Sequence, residues 1–132
     1  MSTVSIPKND MTIKADRPAS LGDLERLLRR GADFYCSIPA AVAEAALATW
    51  NTGNRRLDEL RVQAMRRDMA AARWLSGEVI GFGVFPDSIQ IGDGQHRLRA
   101  QVLSATEQVY RVRCFKDDEE FERFVITRDS GK

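Results

Sequence analysis

The sequence predicts a mixed α/β domain, a small mixed sheet flanked by several helices, on three observations. Apolar residues alternate with period two at 79–85, 89–91 and 109–115, and these segments interleave with helical periodicity at 21–30, 39–50, 58–74 and 95–104. Glycine, proline and asparagine punctuate the junctions between them. A length of 132 residues suits one domain with a real core and is too short for two. We read 1–18 as a flexible N-terminal arm and 19–132 as the single domain.

Composition narrows the function classes. A formal charge of +1 at pH 7 excludes a strongly basic nucleic-acid coat and an acidic solvating tail, so any contact with DNA has to be made by a local patch. No apolar run approaches the roughly 20 residues that span a bilayer, and the first residues lack the apolar core of a secretory signal, which points to the cytoplasm. Cys36 and Cys114 lie far apart, without Cys-x-x-Cys spacing or a neighbouring histidine. The expectation is two reduced, buried thiols and no zinc.

Taken in order, residues 1–18 are polar and broken by Pro7, Asn9, Asp10 and Pro18, with at most a short edge strand around Met11–Ile13. Ser20 followed by Asp23 resembles a capping box, and Leu21, Leu24, Leu27 and Leu28 form an apolar face. With Gly31 where a C-terminal cap belongs, this predicts a helix over 21–30. Phe34–Cys36 reads as a brief extended piece. Pro39 then pre-sets the first turn of an alanine-rich helix reaching Trp50, and Asn51–Asn54 reads as a turn.

A second long helix is expected from Asp58 to Trp74. Leu60, Ala64, Met65, Met69 and Ala72 mark its buried side, with Arg61, Arg66, Arg67 and Arg73 elsewhere. Six arginines against three acids over 55–74 leave a surplus of three, which reads as a solvated helix face or as a docking surface. Gly77 ends that helix, and Val79–Phe85 reads as a strand whose Gly81 and Gly83 leave one face bare. Pro86, Asp87 and Ser88 turn the chain back into Ile89–Ile91. A helix over Gln95–Ser104 and a strand over Val109–Phe115 follow. The acidic run Asp117–Glu120 suits the positive start of a helix buried by Phe121, Phe124 and Val125. Thr127–Lys132 reads as a polar tail.

The stretch best suited to chemistry is Ile89–Ala100, Ile-Gln-Ile-Gly-Asp-Gly-Gln-His-Arg-Leu-Arg-Ala. Gly92 and Gly94 permit backbone conformations closed to other residues, Asp93 is a good N-cap, and Gln95, His96 and Arg97 fall in the first helical turn. Unpartnered amides and the positive end of the helix dipole converge at such a turn, which makes it a ready anion site. The chain's one histidine stands there beside an arginine. Spacing alone leaves both a phosphate site and a plain strand-to-helix turn open.

Asp93–Ala100, Asp-Gly-Gln-His-Arg-Leu-Arg-Ala, resembles the phosphate-binding box of the ParB and sulfiredoxin-like superfamily, in the Asp-Gly-Gln-His-Arg variant also seen in regulators of DNA phosphorothioation. Upstream, Ile38-Pro39 with its alanine helix, Asn51-Thr52-Gly53-Asn54-Arg55-Arg56-Leu57, Met65–Trp74 and Ile80 are similar to the order in ParB-like proteins of bacteria and phages. The resemblance covers about residues 34 to 132. It implies a compact ParB/sulfiredoxin-like fold that binds CTP or ATP, with the triphosphate on the helix N-terminus of this box. Carried over, Gly94, Gln95, His96 and Arg97 hold phosphates, Asn54, Arg55 and Arg56 face the same cleft, and Asp93 caps the helix or touches a magnesium ion. The departures are equally specific. Sulfiredoxin-like chemistry needs a cysteine where this turn has Gly94 and Gln95, so peroxiredoxin repair is rejected. ParB partition proteins continue into a helix-turn-helix DNA-binding domain, so the expectation is either a shortened relative or a piece truncated after Lys132, and both leave open the loss of a second nucleotide contact.

Three readings remain open. The first is a nucleotide-binding ParB-like domain of a DNA-associated bacterial or phage protein, using CTP or ATP with magnesium. The second is an ATPase or nuclease of the same fold, with His96 as base and Arg97 as clamp. Lacking a second histidine or a carboxylate pair in one motif, the chain favours binding over turnover. The third is a phage or mobile-element protein that uses the scaffold to dock on a host protein or nucleic-acid complex through the Arg55–Arg73 helix, for example as an inhibitor of a bacterial defence system such as CRISPR. A homodimer is compatible with all three; a membrane is not expected.

Overall fold

The computed structural model describes residues 2–8, 11–51, 56–71 and 78–130. Among them, six strands form one sheet, β1 (Ser2–Lys8), β2 (Met11–Arg17), β3 (Phe34–Ile38), β4 (Glu78–Phe85), β5 (Ser88–Asp93) and β6 (Gln108–Phe115), in the order β1-β2-β3-β6-β4-β5. Five helices accompany it: α1 (Leu21–Arg29), α2 (Ala40–Trp50), α3 (Glu59–Ala70), α4 (Gln95–Ser104) and α5 (Asp118–Ser130). The mixed α/β class is as expected. β2 and β3 run parallel across α1, β4 and β5 form an antiparallel hairpin, and β6 returns through α4 to lie parallel to β4 and antiparallel to β3.

Local signals placed most of these elements. The Ser20 hydroxyl accepts from the Asp23 amide at 3.1 Å, and the Asp23 carboxylate accepts from the Ala19 amide at 3.1 Å, a reciprocal cap that starts α1 where expected. Pro39 is the N-cap of α2. Asp117 accepts from the Glu119 and Glu120 amides and starts α5, which continues through 127–130, so the expected polar tail is helical there.

Alternation along β4 and β5 sends their side chains to opposite faces. Ile80, Phe82, Val84, Ile89 and Ile91 join Leu24, Leu27, Leu28, Ala43, Ala46, Trp50 and Leu98 in the main core, so α1, α2 and α4 share one face of the sheet. The bare positions lie on the other face. A Cβ at Gly81 would stand 2.2 Å from Phe124, and one at Gly92 would stand 2.3 Å from Phe121. The glycines thus form a trough for α5, where Phe115 and Phe124 stack with centroids 4.6 Å apart. Gly92 was expected to supply an unusual backbone conformation; its φ is not positive, and close approach of the Phe121 ring is the reason for a glycine there.

Two expectations need correction. The predicted arm is a β-hairpin, paired from Ser2↔Arg17 to Lys8↔Met11 and joined to the sheet at Asp16↔Cys36. Its anchors are distant in sequence: Arg30 pairs with Asp16 at 2.9 Å, and Arg17 grips Glu107, which also accepts from Ser37. That Arg17 contact holds the Glu107 carboxyl below its ordinary range. Pro7 sits on the outer strand, the place in a sheet where proline is tolerated.

The second correction concerns α3, which begins at Asp58 and buries Met69 with Met65 beside it as expected, but turns Leu60 and Ala64 outward. Val62 and Met69 are buried with Ala100 of α4, and Leu57, Met65 and Leu103 pack around them, whereas Leu60 is 84% exposed and Ala64 also faces solvent. With α4 as its chief neighbour, α3 has only one narrow stripe to bury. Ala72, Arg73, Trp74 and Gly77 lie outside the described residues. We therefore expect Val62→Ala to cost about 2 kcal/mol in urea unfolding and Leu60→Gln less than about 0.5 kcal/mol, the reverse of what the sequence pattern implies.

No helix among the described residues is long and apolar enough to cross a membrane.

Candidate functional site

The site is built from the end of β5 and the start of α4. Gly94 is the N-cap of α4 with φ 121° and ψ 3°, a conformation side chains rarely adopt, and a Cβ there would lie 2.6 Å from Ile80 Cγ2. Glycine is required twice over, by backbone and by space. Its carbonyl accepts from the Leu98 amide at 2.9 Å, which starts the helix, and Gly94 has no side chain with which to cap the first turn.

Asp93 is not the N-cap. It is the last residue of β5, and its carboxylate pairs with Arg97 one turn ahead at 3.3 Å. Gln95 is buried, and its side-chain oxygen accepts from Asn51 Nδ2 at 3.3 Å, which brings the C-cap of α2 against the turn. His96 is 6% exposed, and its Nε2 accepts the Asp58 amide at 2.9 Å. An accepting Nε2 carries no proton, so the ring is neutral with its hydrogen on Nδ1. His96 thereby latches the start of α3 to the start of α4.

Arg97 is only 12% exposed on its side chain. Its Nη1 donates to the Val79 carbonyl at 3.2 Å and to Asp93 at 3.3 Å, its Nη2 stands 3.7 Å from Glu78, and its buried Nε has no partner among the described residues. Arg56 is exposed and stands two residues ahead of the Asp58 amide that meets His96. Asn54 and Arg55 lie outside the described residues.

Two helix starts therefore lie side by side, and each contributes partial positive charge. They differ in capping: Asp58 accepts from the Arg61 amide at 3.2 Å and caps α3 itself, whereas α4 starts on a glycine. Among the described residues no three His, Cys, Asp or Glu side chains cluster as a metal site. A magnesium ion at Asp93 fits only as one that keeps its waters and takes most of its ligands from phosphate. Neither cysteine is held as a thiolate: burial pushes the Cys36 thiol far up and the Cys114 thiol up to about 11. A groove of about 540 Å³ beside the β4–β5 turn carries Asp87, Asp118 and Glu122, the wrong sign for phosphate.

The structure brings Asp93, Gly94, Gln95, His96 and Arg97 together with the segment holding Arg56. It also adds Asn51, Glu78 and the Asp58 amide, which the sequence pattern did not single out. A backbone amide has no signature in sequence, and Glu78 lies 19 residues from Arg97 with no motif connecting them. No protein-family model, curated protein or solved structure matches the chain.

Proposed function

We propose that this chain is a ParB-like domain that binds the phosphates of a nucleoside triphosphate, CTP or ATP with magnesium, at the Gly94–Arg97 turn, within a cytoplasmic, DNA-associated bacterial or phage protein. One observation carries the reading: the Asp58–His96 bond holds the starts of α3 and α4 together beside Gly94. Their dipoles, with Arg56 and Arg97 nearby, favour a polyanion at one point. Binding is favoured over turnover because His96 spends Nε2 on the Asp58 amide and carries its proton on Nδ1, which leaves no lone pair for a general base.

Calorimetry and thermal unfolding with CTP and ATP, each with and without magnesium, test this. A saturable heat and a melting temperature that rises with ligand concentration are expected for one triphosphate, since a ligand bound only by the folded state stabilises it by mass action. No heat and no shift at millimolar ligand overturns the reading.

The exposed face of α3, with Leu60, Arg66 and Arg67, favours as a second reading the docking of a host protein or nucleic-acid complex. Capture of such a complex that is lost in Leu60→Asp and kept in the presence of saturating CTP or ATP with magnesium supports that reading against the first.

A further inference from the structure

A guanidinium has five donors, and a side chain as buried as Arg97 normally satisfies them. Here the engaged edge is Nη1, with Val79 O at 3.2 Å and Asp93 Oδ2 at 3.3 Å. The opposite edge is Nε with its neighbouring Nη2, whose N–H bonds run parallel and suit two oxygens of one oxyanion. On that edge, among the described residues, Nε has no partner and Nη2 meets only Glu78 Oε2 at 3.7 Å, beyond hydrogen-bond reach. The edge best shaped for an oxyanion is the one the protein leaves least satisfied.

Glu78 is the first residue of β4, and its side chain is 36% exposed, so it can leave the guanidinium for solvent without disturbing the core. We propose that Glu78 is the internal counter-ion of the Arg97 fork and sets how strongly an oxyanion engages it. The proposal rests on the phosphate reading of the turn and adds its control. With no ligand bound, Glu78 balances the buried charge at a distance. An incoming oxyanion takes the Nε–Nη2 edge and pushes Glu78 outward, against repulsion between like charges a few ångströms apart. Removing the Glu78 charge relieves that repulsion for every oxyanion, and most for a phosphate with two charges. Asp93, on the other edge, keeps Nη1 in place throughout.

The test uses the full chain as wild type, Glu78→Gln, Arg97→Lys and the double variant, titrated with CTP plus magnesium, inorganic phosphate and acetate. Lysine keeps the charge and removes the fork. Glu78→Gln should tighten phosphate and CTP by about tenfold and bring acetate into a measurable range, and in the Arg97→Lys background the gain should fall below about twofold, a coupling read from the cycle. A gain that persists undiminished in the Arg97→Lys background is a diffuse charge effect and overturns the proposal, as does unchanged affinity in Glu78→Gln. Wild type that binds CTP while Glu78→Gln binds it no better overturns the counter-ion role and leaves the nucleotide reading standing; if neither binds any triphosphate, both fall. Should Arg97→Lys fail to fold, Asp93→Asn replaces it, since it removes the same charge from the Nη1 edge. A gain there equal to that of Glu78→Gln also overturns the proposal.

Discussion

Gly94→Ala is expected to destabilise the fold by about 3–5 kcal/mol and to abolish phosphate binding at the turn. Two costs add. Forcing an L residue to φ 121° costs about 1–3 kcal/mol, and the new methyl must displace Ile80, a fully buried core residue it would meet at 2.6 Å, for about 1–3 kcal/mol more. Ile80 has no room to retreat because it belongs to the main core beneath α2 and α4. Urea denaturation of the variant, compared by midpoint and slope, measures the loss. A loss under about 1 kcal/mol means that the turn relaxes and does not depend on glycine.

The second large effect is expected at Gln101. It is fully buried on α4, its amide nitrogen donates to the Ile38 carbonyl, and its amide oxygen accepts from the Tyr110 hydroxyl at 2.9 Å. One side chain thus ties α4 to β3 and β6 across the core. Burial pushes the Tyr110 phenol well above its ordinary range, so the hydroxyl remains a donor at any working pH. Gln101→Met preserves the volume but strands both partners without water, at a cost of about 2–4 kcal/mol. Adding Tyr110→Phe removes one stranded group, so the double variant should be more stable than the sum of the two single losses implies. Strict additivity in the denaturation cycle shows that the two side chains do not act as a unit.

Much of the fold was legible because its signals are local. Ser20 and Asp23 bracket the start of α1, Pro39 opens α2, and Pro86–Asp87 turns β4 into β5, each through atoms a few residues apart. The strand–glycine–helix run from Ile89 to Ser104 was readable for the same reason. What was misread depends on distant partners. The β1–β2 hairpin is held by Arg30 and Glu107, and a polar stretch broken by Pro7 and Pro18 looks like an arm until those partners are in place. In α3, Met65 and Met69 fit a buried stripe shared either with Leu60 and Ala64 or with Val62, and contact with Ala100 and Leu103 of α4 chooses Val62.

The candidate site divides in the same way. Residue type and spacing were enough to locate a glycine-capped helix start carrying Gln95, His96 and Arg97, because capping and backbone conformation are decided within one turn of chain. Which way those side chains face was decided by the tertiary structure. His96 bonds the Asp58 amide, Arg97 turns toward Val79, Asp93 and Glu78, and Asp93 gives up the cap to Gly94. A buried donor or acceptor takes the partner that packing brings to it, and that partner is specified by the whole sheet rather than by the neighbouring sequence.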